Sequence, residues 1–358
     1  MKYILILILL LSFSCKNENP KENSLPTKIG ESLVNSVNNP VNGNSSLPRL
    51  YSNGKELFMS WIQKNDSITT LKYSKFNGDT WTSPSKIISG SDWFVNWADF
   101  PAIAENNGNV LTNVLQKSAD GTYTYDIRLQ LFSKNKNTWK NNFLLNLDGK
   151  KSEHGFVSML PYNENSFFVT WLDGRTLVDV PKEKEQMTLR GAFVNVEGEI
   201  TNDVILDDRT CECCNTAATI VANGPVVIYR DRSKQEIRDI SIVRLVNGNW
   251  TNPKTIYKDN WEIPGCPVNG PAIDSFKDAV ALAWFTAEND KPRVQVIFSD
   301  DQGETFGIPY RIDTGNAIGR VDLVMLDKDN AVISWMEPDG VDTLIQILKI
   351  ASDGTKSL

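Results

Sequence analysis

Six apolar stretches recur along this 358-residue chain: "LFMSWIQ", "VLTNVLQ", "FFVTWLDGR", "VVIYRDR", "VALAWFTAE" and "AVISWMEPD". Between Trp61, Val114, Trp171, Tyr229, Trp284 and Trp335 the spacings are 53, 57, 58, 55 and 51 residues. A period of this size restricts the fold to copies of one supersecondary unit laid side by side, because a single copy cannot bury its apolar face alone. A second element follows each of the first five stretches: "YSKFNGDTW", "FSKNKNTW", "FVNVEGEI", "RLVNGNW" and "FSDDQGETF". Each is a β-rich run, a turn of Gly, Asn or Asp, and usually an aromatic residue, the chemistry of a hairpin. In three of them a proline comes three residues after the aromatic: Pro84 after Trp81, Pro253 after Trp250 and Pro309 after Phe306. Helical periodicity is nearly absent. Four short strands per unit and six units predict an all-β chain folded as a six-bladed β-propeller.

The N-terminus falls outside the repeat. Lys2 precedes an apolar run from Tyr3 to Leu11, too short for a membrane span of about 20 residues but suited to the core of a secretory signal. The run ends in "SFSC", which resembles a bacterial lipobox, so residues 1–15 read as a lipoprotein signal with Cys15 as the lipidated residue. The alternative is an ordinary signal peptide that contains a cysteine. Either reading exports the chain, and the first anchors it in the cell envelope. Residues 16–45 are rich in Asn, Ser, Pro and Lys and read as a tether, leaving 46–358 for the propeller. Within the tether, "LPTKI" is similar to the outer-strand starts "SPSKI" and "NPKTI". Residues 26–35 are therefore expected to supply the missing outer strand of the last blade, since "ASDGTKSL" ends the chain at a turn.

Net charge is −7, from 37 Lys and Arg against 44 Asp and Glu, and no basic cluster occurs. Nucleic acid is thereby excluded as a partner class, leaving a small molecule or a glycan, and a monomer is expected.

The stretch Ser299-Asp300-Asp301-Gln302-Gly303-Glu304-Thr305-Phe306 matches the Asp-box pattern S-x-D-x-G-x-T-[FW], with degenerate copies in "SKFNGDTW" and "SDGTKSL". With six units, the chain resembles the sialidase (Asp-box repeat) superfamily across nearly all of its mature length. "TCECCNTAA", "YRDRSKQEIRDI" and "GCPVNGPAI" add a resemblance to a subgroup of bacterial proteins described as sialidase-like. The resemblance implies that Asp301 is a structural turn residue. It also implies that the loops entering each innermost strand meet those leaving the second strand at one mouth. Its chemistry implies arginines on a substrate carboxylate, an Asp acid/base and a Tyr nucleophile paired with a Glu. By position, Arg49, Arg175, Arg232 and Arg320 are the candidates for the carboxylate, and Asp99 and Glu153 for the acid/base. Where the family places its tyrosine this chain reads Gly319-Arg320-Val321-Asp322, so Asp322 or Glu337 has to replace it. The alternative for any of these charges is a structural ion pair, and for the single histidine, His154, a hydrogen-bonded structural role.

Cys211, Cys213, Cys214 and Cys266 remain once Cys15 is set aside. The first three enter the fourth unit and Cys266 enters the fifth, which places all four at the mouth. Alternation along an extended segment points Cys211 and Cys213 one way and Cys214 the other. Two disulfides, one of them linking neighbouring blades, suit an exported chain. A soft-metal site such as Cu(I), with His154 or a methionine nearby, is the second reading, and a reactive thiol beside Arg209 the third. Two function classes follow: recognition, with or without cleavage, of an acidic glycan, and a metal- or redox-linked binding protein or protein-binding scaffold. No cofactor other than that metal is expected.

Overall fold

The computed structural model describes residues 36–357. Among these the chain forms six antiparallel sheets in sequence order and no α-helix. Five sheets have four strands and the fourth has five, because both Asn249–Trp250 and Lys254–Thr255 pair with Ile240–Val246. Each sheet is a meander in which consecutive strands pair, except that the last two strands of the fourth sheet both pair with its third. The first strands are Ser45–Ser52, Ile103–Asn106, His154–Tyr162, Ala217–Val221, Ala272–Phe276 and Gly319–Met325.

The repeated apolar stretches are the second strands. Trp61, Val114, Trp171, Tyr229, Trp284 and Trp335 occupy equivalent places there, each at most 5% exposed. These strands are apolar on both faces because a sheet lies against each: Gly224–Arg230 is buried at every position. Tight turns join the first strand of sheet two to its second and the third strand of sheet four to its fourth. Asn107-Gly108 and Asn247-Gly248 both carry two successive positive φ angles, 52° and 90°, and 51° and 78°. That is the backbone a two-residue hairpin turn needs, and Asn-Gly supplies it at low steric cost.

Every consecutive pair of sheets shares an apolar core. Sheets one and two meet around Phe58, Ile62, Val110 and Val114. Sheets two and three meet around Leu115, Ile127 and Trp171, and three and four around Phe168, Leu189 and Tyr229. Sheets four and five meet around Ile228, Ile242 and Trp284, and five and six around Val296, Ile333 and Trp335. The expected closing strand, 26–35, lies outside the described residues, as does Cys15. The last sheet nevertheless does not stop at a bare turn: Lys356–Ser357 pairs with Lys349 and Ile350. This short strand leaves the other half of Thr343–Ala351 without an outer partner among the described residues, and Ile345 is 73% exposed there.

Candidate functional site

The first strand of each sheet, or the segment leading into it, contributes to one cavity of about 300 Å³. Arg49 comes from sheet one, Trp97, Asp99 and Phe100 from the segment entering sheet two, and Phe156 and Ser158 from sheet three. Cys213 and Asn215 enter sheet four, Val268 and Asn269 enter sheet five, and Arg320 and Asp322 open sheet six.

The two arginines reach the cavity in the same manner. The Arg49 guanidinium lies 5.6 Å over the Phe100 ring and that of Arg320 lies 4.2 Å over Trp97. Neither has a carboxylate within ion-pair distance among the described residues. An arginine resting on an aromatic face keeps the edges of its fork free for an anion. The chain turns sharply to place Arg320, which has a φ of +58°, and its amide is held by Asn269 Oδ1 at 2.9 Å. The side chain of Arg320 also donates to the Val268 carbonyl. Trp97 itself is 58% exposed, an apolar plate at the cavity wall.

Asp99 is the buried acid of the cavity, only 2% exposed. The Phe156 amide donates to its Oδ1 at 2.8 Å and the Tyr125 hydroxyl approaches its Oδ2 at 3.2 Å. The same hydroxyl lies 2.9 Å from Glu153 Oε1. Tyr125 is fully buried and stacks on Phe94 with centroids 4.4 Å apart. Burial, reinforced by the Glu153 charge, pushes the Asp99 carboxyl up to about 8 although the Phe156 amide opposes it. Burial also raises Glu153 to about 7, against the Tyr125 hydrogen bond and with the Glu212 charge. Burial between two carboxylates drives the Tyr125 phenol far above its ordinary range. A tyrosine paired with a glutamate is thus present, on the third strand of sheet two rather than at the start of sheet six. Its hydroxyl bridges the two acids and does not line the cavity.

Three other charged candidates are occupied elsewhere. Arg175 forks onto Asp173, with Nε 2.7 Å from Oδ1 and Nη2 2.7 Å from Oδ2, and Nη2 also lies 3.3 Å from Asp148. Arg232 clasps Glu236, with Nε at 3.0 Å and Nη2 at 2.9 Å from Oε1, and touches Glu212. Glu337 is 1% exposed and accepts from the Thr314 amide at 2.9 Å, the Thr314 hydroxyl at 2.8 Å and Trp335 Nε1 at 2.8 Å. Saturated in this way, they are fixed parts of the scaffold, because a buried charge keeps the partners that offset its desolvation. His154 belongs with them. Its Nε2 is 3.1 Å from Asp148 Oδ2 and 3.8 Å from Asp173 Oδ1. Burial opposes its charge, but contact with Asp148 and Asp173 outweighs burial and raises its pKa. These three residues are close enough to ligate a cation, and Arg175 already supplies the positive charge there.

The cysteines depart from the expected geometry. Residues 211–216 do not continue Ile200–Thr210 as an extended strand; they bend, and all three sulfurs converge. Cys211 Sγ is 3.7 Å from Cys213 Sγ and 3.6 Å from Cys214 Sγ. No disulfide joins them, and Cys266, exposed on the segment before sheet five, is also free. Arg238, which the alternating charges of "YRDRSKQEIRD" conceal, donates to Cys211 Sγ at 3.1 Å. Hydrogen bonds from the Cys213 and Cys214 thiols, with Arg238 beside them, hold Cys211 well below the ordinary thiol range. Burial pushes Cys214 up to about 12.

Six consecutive meander sheets, each contributing to a cavity that carries two arginines, an aromatic plate and a buried acid, define an all-β, propeller-like architecture. Comparison with solved structures finds proteins of similar fold. The chain is similar to a polysaccharide lyase, the PL25 ulvan lyase bound to -[GlcA(1-4)Rha3S]-, with a TM-score of 0.51 and 11% identity over 89% of this chain and 81% of that one. It is similar to the alpha-L-arabinofuranosidase Arb93A of Fusarium graminearum in complex with an iminosugar inhibitor, with a TM-score of 0.51 and 12% identity over 87% of this chain and 93% of that one. The Hadza microbial sialidase Hz136 matches with a TM-score of 0.49 and 14% identity over 85% of this chain, which spans 65% of that sialidase. No family model matches the sequence, and no curated protein matches it in sequence. At these identities the likeness is one of fold.

Proposed function

We propose that this chain is a six-bladed propeller that binds an acidic glycan in the shared cavity, with Arg49 and Arg320 on the sugar carboxylate. The observation that carries this reading is the pair of arginines, each laid on an aromatic ring, each without a carboxylate partner among the described residues, and both lining one cavity. Carboxylate recognition by arginine forks supplies charge and geometry together. Trp97 offers the apolar face on which a sugar ring stacks. The lyase and the glycosidase of similar fold act on polysaccharides or arabinosides by their names, and the glycan class is extended from them to this chain.

Cleavage is the second part of the proposal. Asp99, held protonated at neutral pH, donates a proton to a glycosidic oxygen. Asp322, an exposed residue lining the same cavity whose Oδ1 accepts the Leu323 amide at 2.9 Å, is the carboxylate left for the nucleophile or base. Tyr125 positions Asp99 and Glu153 relative to each other. Calorimetric titration with sialyllactose and with a glucuronate disaccharide tests the binding. Arg320→Ala is expected to weaken it at least roughly tenfold, the lower end of a charged hydrogen bond's worth, and equal affinity for neutral lactose would defeat the reading. Fluorogenic sialosides and glucuronides test cleavage: turnover lost in Asp99→Asn supports it, and no turnover on a broad panel leaves a binding protein. Membrane attachment through Cys15 is proposed with it, and Cys15→Ala should move the chain from the membrane to the soluble fraction.

A further inference from the structure

The converged sulfurs have no part in the glycan reading. We propose that Cys211, Cys213 and Cys214 form a binding site for a soft, thiophilic metal ion, Cu(I), in the wall of the cavity.

The geometry suits one ion. Thiolates at about 2.3 Å from a common metal stand about 3.8 to 4.0 Å apart in tetrahedral or trigonal arrangement. The observed 3.7 and 3.6 Å separations need adjustments of only a few tenths of an ångström. They are far from the roughly 2.05 Å of a disulfide. One bend of four residues supplies all three ligands, so no distant element has to move. Cys213 lines the cavity and gives an ion its entry, whereas Cys211 and Cys214 lie behind it at 1% and 2% exposure.

Charge supplies a second, independent argument. Three thiolates around a monovalent ion leave two negative charges. Arg238 donates to Cys211 Sγ at 3.1 Å and is itself held by Glu236 at 2.9 Å. Next to it, Arg230 is 1% exposed and bonds only carbonyls, those of Asn269, Arg238 and Phe285 at 3.0, 2.6 and 2.7 Å. A buried guanidinium with no carboxylate partner among the described residues calls for a negative group nearby. The metal–thiolate cluster provides one. Soft sulfur donors select Cu(I). Zinc prefers a closed tetrahedron, whereas Cys266, though its thiol approaches Cys213, lies on an exposed segment and outside the group of three sulfurs that stand within 4.8 Å of one another.

The inference stands apart from the glycan reading. Its test is anaerobic titration of the reduced full chain, purified without chelator, with Cu(I) in competition with a chromophoric Cu(I) chelator. One Cu(I) per chain should be withheld, with a sulfur-only shell by X-ray absorption. Cys213→Ser should lower the affinity by more than roughly 100-fold, beyond the cost of an outer-shell change, and Arg238→Ala by roughly 10- to 100-fold. Cys266→Ser, which removes a neighbour of Cys213 and not one of the three ligands, should lower it by far less than Cys213→Ser does. Cys213 is the chosen ligand variant because its side chain is partly exposed and its replacement spares the packed thiols; melting curves confirm that the variant is folded. Copper surrendered as readily by the wild type as by Cys213→Ser would overturn the proposal. So would two disulfides in the thiol count, or retention of Zn(II) in preference to Cu(I).

Discussion

Gly155 sets the position of the cavity's acid. A methyl group there would lie 1.9 Å from Asp99 Oδ2 and 3.2 Å from the Tyr125 ring. Gly155→Ala should therefore expel Asp99 from its seat, lower stability by about 1–3 kcal/mol as overpacking does, and abolish whatever Asp99 contributes to ligand chemistry. Thermal melts and ligand titration on the one variant check both. Asp99 also gives stability a specific pH dependence. Its ordinary pKa is 3.8 and the folded value about 8, so between those limits the native state keeps a proton that the unfolded chain releases. Stability must then fall as pH rises from about 4 to about 8, the reverse of an ion-paired carboxylate. Melting temperatures across that window should show the decline, and Asp99→Asn should reduce it, leaving the part that Glu153, raised to about 7, contributes with the same sign. Asp99, Arg49 and Arg320 were legible in the sequence because the repeat assigns each to a segment that enters an inner strand. Tyr125 was not. It begins a third strand, and its sequence context is that of a core aromatic; only the packing of sheet two against sheet three brings it between Asp99 and Glu153.

Within single elements, hydrogen bonding decides which conspicuous residues are structural. Asp301 closes the turn of the fifth sheet by accepting from the Thr305 amide at 2.9 Å, the Thr305 hydroxyl at 2.5 Å and the Ser299 hydroxyl at 2.7 Å. Asp301→Ala should cost about 1–2 kcal/mol in chemical denaturation, the worth of one or two net hydrogen bonds, with ligand affinity unchanged. Arg175 is a harder case. Replacing it by alanine leaves Asp173, wholly buried, with only neutral donors from residues 171 and 175, Trp171 Nε1 at 2.8 Å and the residue-175 amide at 3.1 Å. Breaking such a pair costs about 3–5 kcal/mol, so Arg175→Ala should melt far below the wild type, and a folded variant with normal stability would contradict the scaffold role. The sequence offered Arg175 as a candidate at the mouth, but it does not line the cavity and is forked onto Asp173. The sequence is silent on Asp148 and Asp203, distant along the chain, which converge on the same guanidinium. The cysteine bend was misread for a related reason: strand alternation applies only while the backbone stays extended, and residues 211–216 leave the strand.

At the scale of the molecule, the period of 51 to 58 residues told most about the fold, because it fixes where each second strand lies and which faces must be apolar. Each of those strands is found in its own sheet, and each consecutive pair of sheets shares a core. The first and last sheets are brought to one cavity by Arg49 and Arg320. That convergence joins residues separated by nearly the whole chain, so no local motif announces it. The central claim is that these two arginines form one carboxylate site, and a crystal of the protein soaked with an acidic sugar such as sialic acid or glucuronate measures it directly. The account predicts electron density for the sugar carboxylate between the Arg49 and Arg320 guanidiniums, with the ring against Trp97. A sugar bound elsewhere, or a cavity left without sugar density at saturating concentration, would contradict it.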